Sequence, residues 1–574
     1  MAVMEVFNYL YERTAETLRP RATGSSKEVG ETVVKTIKML VQRFAVALAW
    51  LSSLSQAATF EQQCAQFSSQ LQLDNATVWF SEFVAAGTNL TLSQNNVTCA
   101  RPSQVVEVDL CRVALYVATS NRSGISMEAW LPKNWTGRFL STGNGGISGC
   151  IQYEDLAYTT SLGFSTVGAN NGHNGTGGHA FLDNPDVVTD FGWRSIHTNV
   201  VVGKQISQAF YGKPHTKSYY LGCSTGGRQG MKSAQAFPDD FDGIVAGSPA
   251  IRFNGLDSWS GNFYPTIRDA GPEGFPPNTT WAAIDAAILA QCGTGAVGDA
   301  PDGFLENPDL CHFRPEALVC PTLSANVSSC ISGAQADTIR AIFSPLYGVN
   351  GSLVYPQMQV GPGILEAIYA IYGKAQFPYT ADWFRYAVYN DPNYDIDHLT
   401  PKDWAYAERL NAGETNTFDG DLSPFQSKGG KLLTYHGQAD PIISSANSPT
   451  YYDLVSRTMD LPSTALDDFY RFFRVSGMGH CSGGPGATFI GNVGAAVASL
   501  DPDQNVLMAM VRWVEQGTAP DTILGTKFVN DTASLGVDFQ RAHCRYPFRN
   551  VYVGGGGENA TTDAWKDPAN WVCQ

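Results

Sequence analysis

The sequence predicts an α/β fold in which a mostly parallel sheet carries helices on both faces and is interrupted by a large insertion. Three observations carry this expectation. Short β-rich runs alternate with helix-like stretches. A Gly-x-Ser-x-Gly turn joins one such strand to one such helix. Residues 251–423 differ in texture from the segments on either side.

The runs are read in chain order. Arg138-Phe-Leu-Ser-Thr is a short strand that ends in Gly143-Asn-Gly-Gly. Lys217-Ser-Tyr-Tyr-Leu-Gly is a second, and it leads through a glycine-rich turn into the helix-like Arg228-Gln-Gly-Met-Lys-Ser-Ala-Gln-Ala-Phe. Phe241-Asp-Gly-Ile-Val-Ala-Gly has the apolar character of a buried strand, and Lys431-Leu-Leu-Thr-Tyr-His-Gly and Tyr470-Arg-Phe-Phe-Arg-Val are two more. Residues 58–250 and 424–574 are therefore expected to build one sheet domain. Residues 251–423 hold Trp259, Trp281, Trp383 and many Pro and Gly, with four cysteines between Cys292 and Cys330. A structureless loop of that length is uncommon in a compact domain, so the stretch is expected to fold as an insertion.

The chain has 574 residues, a formal charge of −16, 43% hydrophobic and 16% charged residues. No Lys/Arg-rich run is present, so a nucleic-acid partner is not expected. From Met39 the sequence reads as a secretory signal: Arg43, an apolar run from Phe44 to Leu51, and a small-residue end at Ala57. That run is too short to span a membrane. Residues 39–57 are thus expected to be a signal peptide, and residues 1–38 a spurious upstream extension. All twelve cysteines follow Ala57, and none forms a C-x-x-C motif. With eleven N-x-[ST] sequons, this is the usage of a disulfide-bonded, secreted, extracellular protein with no membrane anchor.

The candidate chemistry lies at strand ends. Gly222-Cys223-Ser224-Thr225-Gly226 places a serine at a tight strand-to-helix turn, where the helix N-terminus favours a developing oxyanion. His436 follows a strand, but Gly437 and then Asp440 come next. His480 sits in Gly477-Met-Gly-His-Cys481, on a glycine-rich loop beyond a strand. The order Ser…Asp…His is that of α/β-hydrolases and selects Ser224 as nucleophile, Asp440 as orienting acid and His480 as base. The oxyanion donors are expected at Thr225 and at Gly145 and Gly146. No H-E-x-x-H motif is present, which disfavours a metal-dependent hydrolase. A non-catalytic binding module of the same fold is the reading from a different class.

Residues 222–230 (GCSTGGRQG), Asp440-Pro-Ile-Ile-Ser, Gly477-Met-Gly-His-Cys-Ser-Gly-Gly and Asp190-Phe-Gly-Trp-Arg-Ser-Ile-His197, with the cysteine spacing, resemble the tannase and feruloyl esterase family. The resemblance runs from about Thr59 to the C-terminus. It implies an α/β-hydrolase fold with residues 251–423 as an inserted lid domain. It implies the triad Ser224, Asp440 and His480, and the bridges Cys223–Cys481, Cys64–Cys111, Cys99–Cys150, Cys292–Cys311, Cys320–Cys330 and Cys544–Cys573. The implied substrates are plant phenolic acid esters, feruloyl esters of cell-wall polysaccharide first and galloyl esters of tannins second. No cofactor is implied for catalysis. A structural calcium is implied between Cys292 and Cys311, where Asp299, Ala300, Asp302 and Phe304 are the candidate ligands and Gly293 replaces an acidic position.

Overall fold

The computed structural model describes residues 58–293, 302–321, 329–554 and 563–574, with Lys35, Thr36 and Met39 upstream. Those three aside, the expected extension 1–38 and signal segment 39–57 lie outside the described residues, as do Asp299 and Ala300. The chain divides into Met1–Gln63 and Cys64–Gln574, and the sheet, the disulfides and the cavity all belong to the second.

Nine strands form one sheet: β1 (Ala76–Val84), β2 (Leu110–Ala118), β3 (Gly124–Pro132), β4 (Arg138–Thr142), β5 (Ser165–Ala169), β6 (Lys217–Cys223), β7 (Gly243–Gly247), β8 (Lys431–Gly437) and β9 (Tyr470–Val475). Their order across the sheet is β1-β2-β3-β5-β4-β6-β7-β8-β9. The pairs β1/β2, β2/β3 and β3/β5 are antiparallel. The remaining pairs are parallel. The protein is thus α/β with a mixed sheet, and its first third is a hairpin ladder that the strand-helix alternation does not announce.

Parallel neighbours require crossovers, and helices supply them. The first are α1 (Tyr153–Ser161), α2 (Ser195–Tyr211) and α3 (Thr225–Ala236). Between β7 and β8 come α4 (Phe253–Ala270), α5 (Asn278–Cys292), α6 (Gly333–Ile342), α7 (Ile364–Tyr372) and α8 (Pro401–Leu410). α9 (Asn447–Met459) joins β8 to β9, and α10 (Val506–Gln516) follows β9.

The central strands are buried on both faces, so their side chains alternate between two cores. On β6, Tyr219 and Leu221 join Leu140, Val245, Leu433, Phe473 and Met510 of α10. Tyr220, between them, faces α3, whose Gly230 leaves room for its ring: a Cβ there would lie 2.6 Å from it. A third core fills the insertion, with Phe253, Trp259, Ile284, Ile339, Ile368 and Trp383. It continues into the flanking domain through Ile147, Phe191 and Ile443. Each such fully buried apolar side chain contributes roughly 1.5–3 kcal/mol relative to exposure.

The twelve cysteines form six bridges, with the pairing that the resemblance implies. Among the described residues no helix is long and apolar enough to cross a membrane.

Candidate active site

β6 ends at Cys223 and α3 begins at Thr225, so Ser224 must turn the chain in a single residue. It does so at φ 65°, ψ −123°, a conformation that costs a non-glycine residue on the order of 1–3 kcal/mol. Three backbone hydrogen bonds hold it there. Its N–H donates to the Gly247 carbonyl (3.0 Å), and its own carbonyl accepts from Arg228 (3.0 Å) and Ala250 (3.2 Å). The turn is tight enough that a Cβ at Gly222 would lie 2.9 Å from the Gly226 backbone.

The loop after β4 crosses the start of α3. Gln229 Oε1 accepts from the Asn144 N–H (3.0 Å), and Gln229 Nε2 donates to Asn144 Oδ1 (3.0 Å). Thr225 Oγ1 donates to the Gly146 carbonyl (2.6 Å). Gly146 has φ +56°, and Tyr379 packs where its side chain would otherwise be. Thr225 is the first residue of α3, so its N–H has no acceptor within the helix.

Asp440 follows β8 and is fully buried. Its Oδ1 accepts from the N–H groups of Ile442 (2.9 Å) and Ile443 (3.0 Å). Its Oδ2 accepts from His480 Nδ1 (2.8 Å), with His436 Nε2 at 3.4 Å on another side. His436 is itself buried, and its Nδ1 lies 2.6 Å from Ser448 Oγ. Burial alone would raise the Asp440 pKa. The charge of His480 and the hydrogen bonds from His436 and His480 outweigh it and hold the carboxyl well below the usual range. Gln359, from the insertion, donates to the Asp440 carbonyl (2.6 Å) and accepts from the Ser445 N–H (3.2 Å). On the loop beyond β9, Asn492 donates to the Cys481 carbonyl (2.6 Å).

These loops meet around a cavity of about 410 Å³. Ser224, Thr225, Gly145, Gly146 and His480 all line it, and Asp440 lies behind His480. Among the described residues Ser224 and His480 are not hydrogen-bonded to each other, a spacing that commonly tightens when a substrate is in place. The Cys223–Cys481 bridge, Cα–Cα 6.0 Å, joins the residue before Ser224 to the residue after His480. The sequence does not reveal Gln229, Gln359 or Asn492 as parts of this arrangement, and it offers His436 only as a histidine that the residue order sets aside.

Asp302 and Phe304, the described members of the expected calcium set, lie away from this cavity, and the Asp302 side chain is buried. Its Oδ2 accepts from Arg541 Nη1 (2.9 Å), which also serves Glu306 Oε2 (2.8 Å). Among the described residues no group of three or more His, Cys, Asp or Glu is arranged to hold a metal ion.

The family model for tannase and feruloyl esterase matches residues 111–565. The chain belongs to the tannase and feruloyl esterase family. It is a feruloyl esterase-like carboxylic ester hydrolase. A relative from Aspergillus terreus, named probable feruloyl esterase B-2, is 50% identical over 522 residues, covering 91% of this chain and 97% of its own. Among solved structures, an esterase from Aspergillus oryzae is 51% identical with a TM-score of 0.85, covering 90% of this chain and all of its own. Feruloyl esterase B from the same organism is 45% identical with a TM-score of 0.84 at the same coverage. The matches to these relatives take in both the sheet domain and the insertion.

Proposed function

We propose that this member of the family is a secreted serine esterase that hydrolyses esters of plant phenolic acids, feruloyl esters in particular. In this reading the fold is an α/β-hydrolase core of residues 58–250 and 424–574, with residues 251–423 as a lid over the cavity. Ser224 Oγ attacks the ester carbonyl while His480 Nε2 takes its proton. Asp440 holds the imidazole through Nδ1 and stabilises the imidazolium. The N–H groups of Thr225 and of Gly145 or Gly146 receive the oxyanion. The protonated His480 then gives its proton to the departing alcohol oxygen, leaving an acyl-Ser224. Water, deprotonated by His480, attacks this ester and releases the acid and the free serine.

The observation that carries the reading is the 2.8 Å His480–Asp440 hydrogen bond beside a strained Ser224 on the wall of one cavity. Relatives near 50% identity that are named feruloyl esterases favour the feruloyl over the galloyl substrate. Attachment of the ester to cell-wall polysaccharide extends the same reading. Six disulfides support secretion. Ser224→Ala is expected to fold and to lose at least about 10³-fold in kcat on methyl ferulate. A variant that keeps a tenth of the wild-type rate removes Ser224 from the mechanism, and a wild type that prefers methyl gallate reverses the substrate order.

A structural calcium belongs to this reading and plays no part in the chemistry. Two buried carboxylates, Asp302 and Glu306, share one guanidinium, and Asp302 Oδ1 is buried with no partner among the described residues. A hard cation would neutralise that excess and use that oxygen, with Asp299 and the carbonyls of Ala300 and Phe304 as further ligands. Dialysis against EDTA is expected to lower the thermal midpoint and added calcium to restore it. An unchanged midpoint excludes the ion.

A further inference from the structure

We infer that Asp257 recognises the ring hydroxyl of the phenolic acid, and so decides which acyl groups the enzyme accepts. The inference deepens the phenolic-ester reading and rests on it.

Asp257 lies on α4, in the wall of the cavity that also holds Ser224 and His480. The neighbouring wall is apolar: Phe253, Leu256, Phe377, Tyr379 and Ile442. Such a slot suits a planar ring and has little to offer a polar substituent. Asp257 and Ser260, one turn apart on α4, are the polar exceptions, and Asp257 is the one with an unpaired oxygen. It is only 3% exposed, and its Oδ2 is buried with no hydrogen-bond partner among the described residues. A buried polar atom without a partner is costly and is uncommon unless something else completes it.

No neighbouring side chain completes it. Arg228 is the cation whose charge Asp257 senses, yet Asp257 Oδ2 has no hydrogen bond from it among the described residues. Two nitrogens of the Arg228 guanidinium are committed elsewhere, and its Nε is buried without a partner among the described residues. The guanidinium donates to the carbonyls of Gly192 (2.6 Å) and Phe191 (2.9 Å) and lies over the Phe191 and Phe253 rings. Burial pushes the Asp257 carboxyl well above its usual range, against the pull of Arg228. What the geometry leaves open is Oδ2, an acceptor without a donor among the described residues. A ring hydroxyl presents that donor. A ring without substituents leaves the buried acid unpaired, and a site of that kind rejects the bare analogue strongly.

The test crosses enzyme variants with ring substituents. Wild type, Asp257→Asn and Asp257→Leu are assayed on methyl cinnamate, methyl 4-hydroxycinnamate and methyl ferulate. Wild type is expected to favour methyl ferulate over methyl cinnamate by at least about 100-fold in kcat/KM. Asp257→Leu should collapse that ratio to within about fivefold. Asp257→Asn, which keeps an acceptor in the same shape, should retain most of it. A wild type without preference between the three overturns the inference, and that arm needs no variant. So does an Asp257→Leu enzyme that loses activity equally on all three, since Asp257 would then only hold α4 in place. Hydrolysis of none of them by wild type fails the phenolic-ester reading itself.

Discussion

Asp440 carries a charge where burial disfavours one, and four donors resolve the conflict. Two are backbone N–H groups of its own loop and two are histidine rings. Because its folded pKa is depressed, the ionised group contributes stability that is fully present above the unfolded value of 3.8. That stability is lost as pH falls through the lower folded value. Asp440→Asn is therefore expected to be less stable by about 1.5–3 kcal/mol at pH 7 in urea unfolding. The gap should narrow below about pH 4, where the carboxyl of the unfolded wild-type chain gains a proton and the folded one stays ionised. A gap of the same size at pH 3 would mean that charge is not what holds the loop. The variant should also lose on the order of 10³–10⁴-fold in kcat, because the imidazole is no longer fixed in the right tautomer. Ser224, Asp440 and His480 are legible in the sequence because each follows a recognisable strand in the order the chemistry requires. His436 is not: it is the last side chain of β8 before the turn, and only folding brings its ring against Asp440.

At the scale of elements, the strand-turn-helix at 217–236 is the part of the fold best marked in the sequence, since glycines at fixed offsets have one physical explanation. The antiparallel strands β1 to β3 are poorly marked. β1 is an edge strand with an irregular exposure pattern, and β2 is an almost continuous apolar run that periodicity cannot tell from a buried helix. The Cys223–Cys481 bridge joins two elements, the elbow and the loop beyond β9, that are 258 residues apart in sequence. Cys481 has φ 65°, so the loop approaches the elbow in a conformation its own sequence does not favour. In the double variant Cys223→Ala/Cys481→Ala, assayed well below its unfolding temperature, kcat is expected to fall about 100-fold with KM little changed. Near-UV circular dichroism checks that the assayed protein is folded. Wild-type kcat in the folded variant would reduce the bridge to a staple of stability.

For the molecule as a whole, the insertion is continuous with the rest. Its apolar core runs on into Ile147, Phe191 and Ile443. Asp382 of the insertion accepts from the Gly178 N–H (2.8 Å). The sequence marks where the insertion starts and stops, through its cysteines and prolines. It does not mark these ties, which depend on single side chains without a spacing pattern.

Gln359 gives that continuity a consequence for anyone recombining relatives of this chain. It lies in the segment that differs in texture from the sheet domain, yet it grips the carbonyl of Asp440 and the amide of Ser445. The two halves of the molecule are thus not interchangeable parts. A chimera that imports a new insertion to change substrate preference, and brings no side chain equivalent to Gln359, inherits a slackened acid loop along with its new pocket. Turnover and selectivity would then shift together, and the fault would lie in the seam of the graft, however well the transplanted pocket fits.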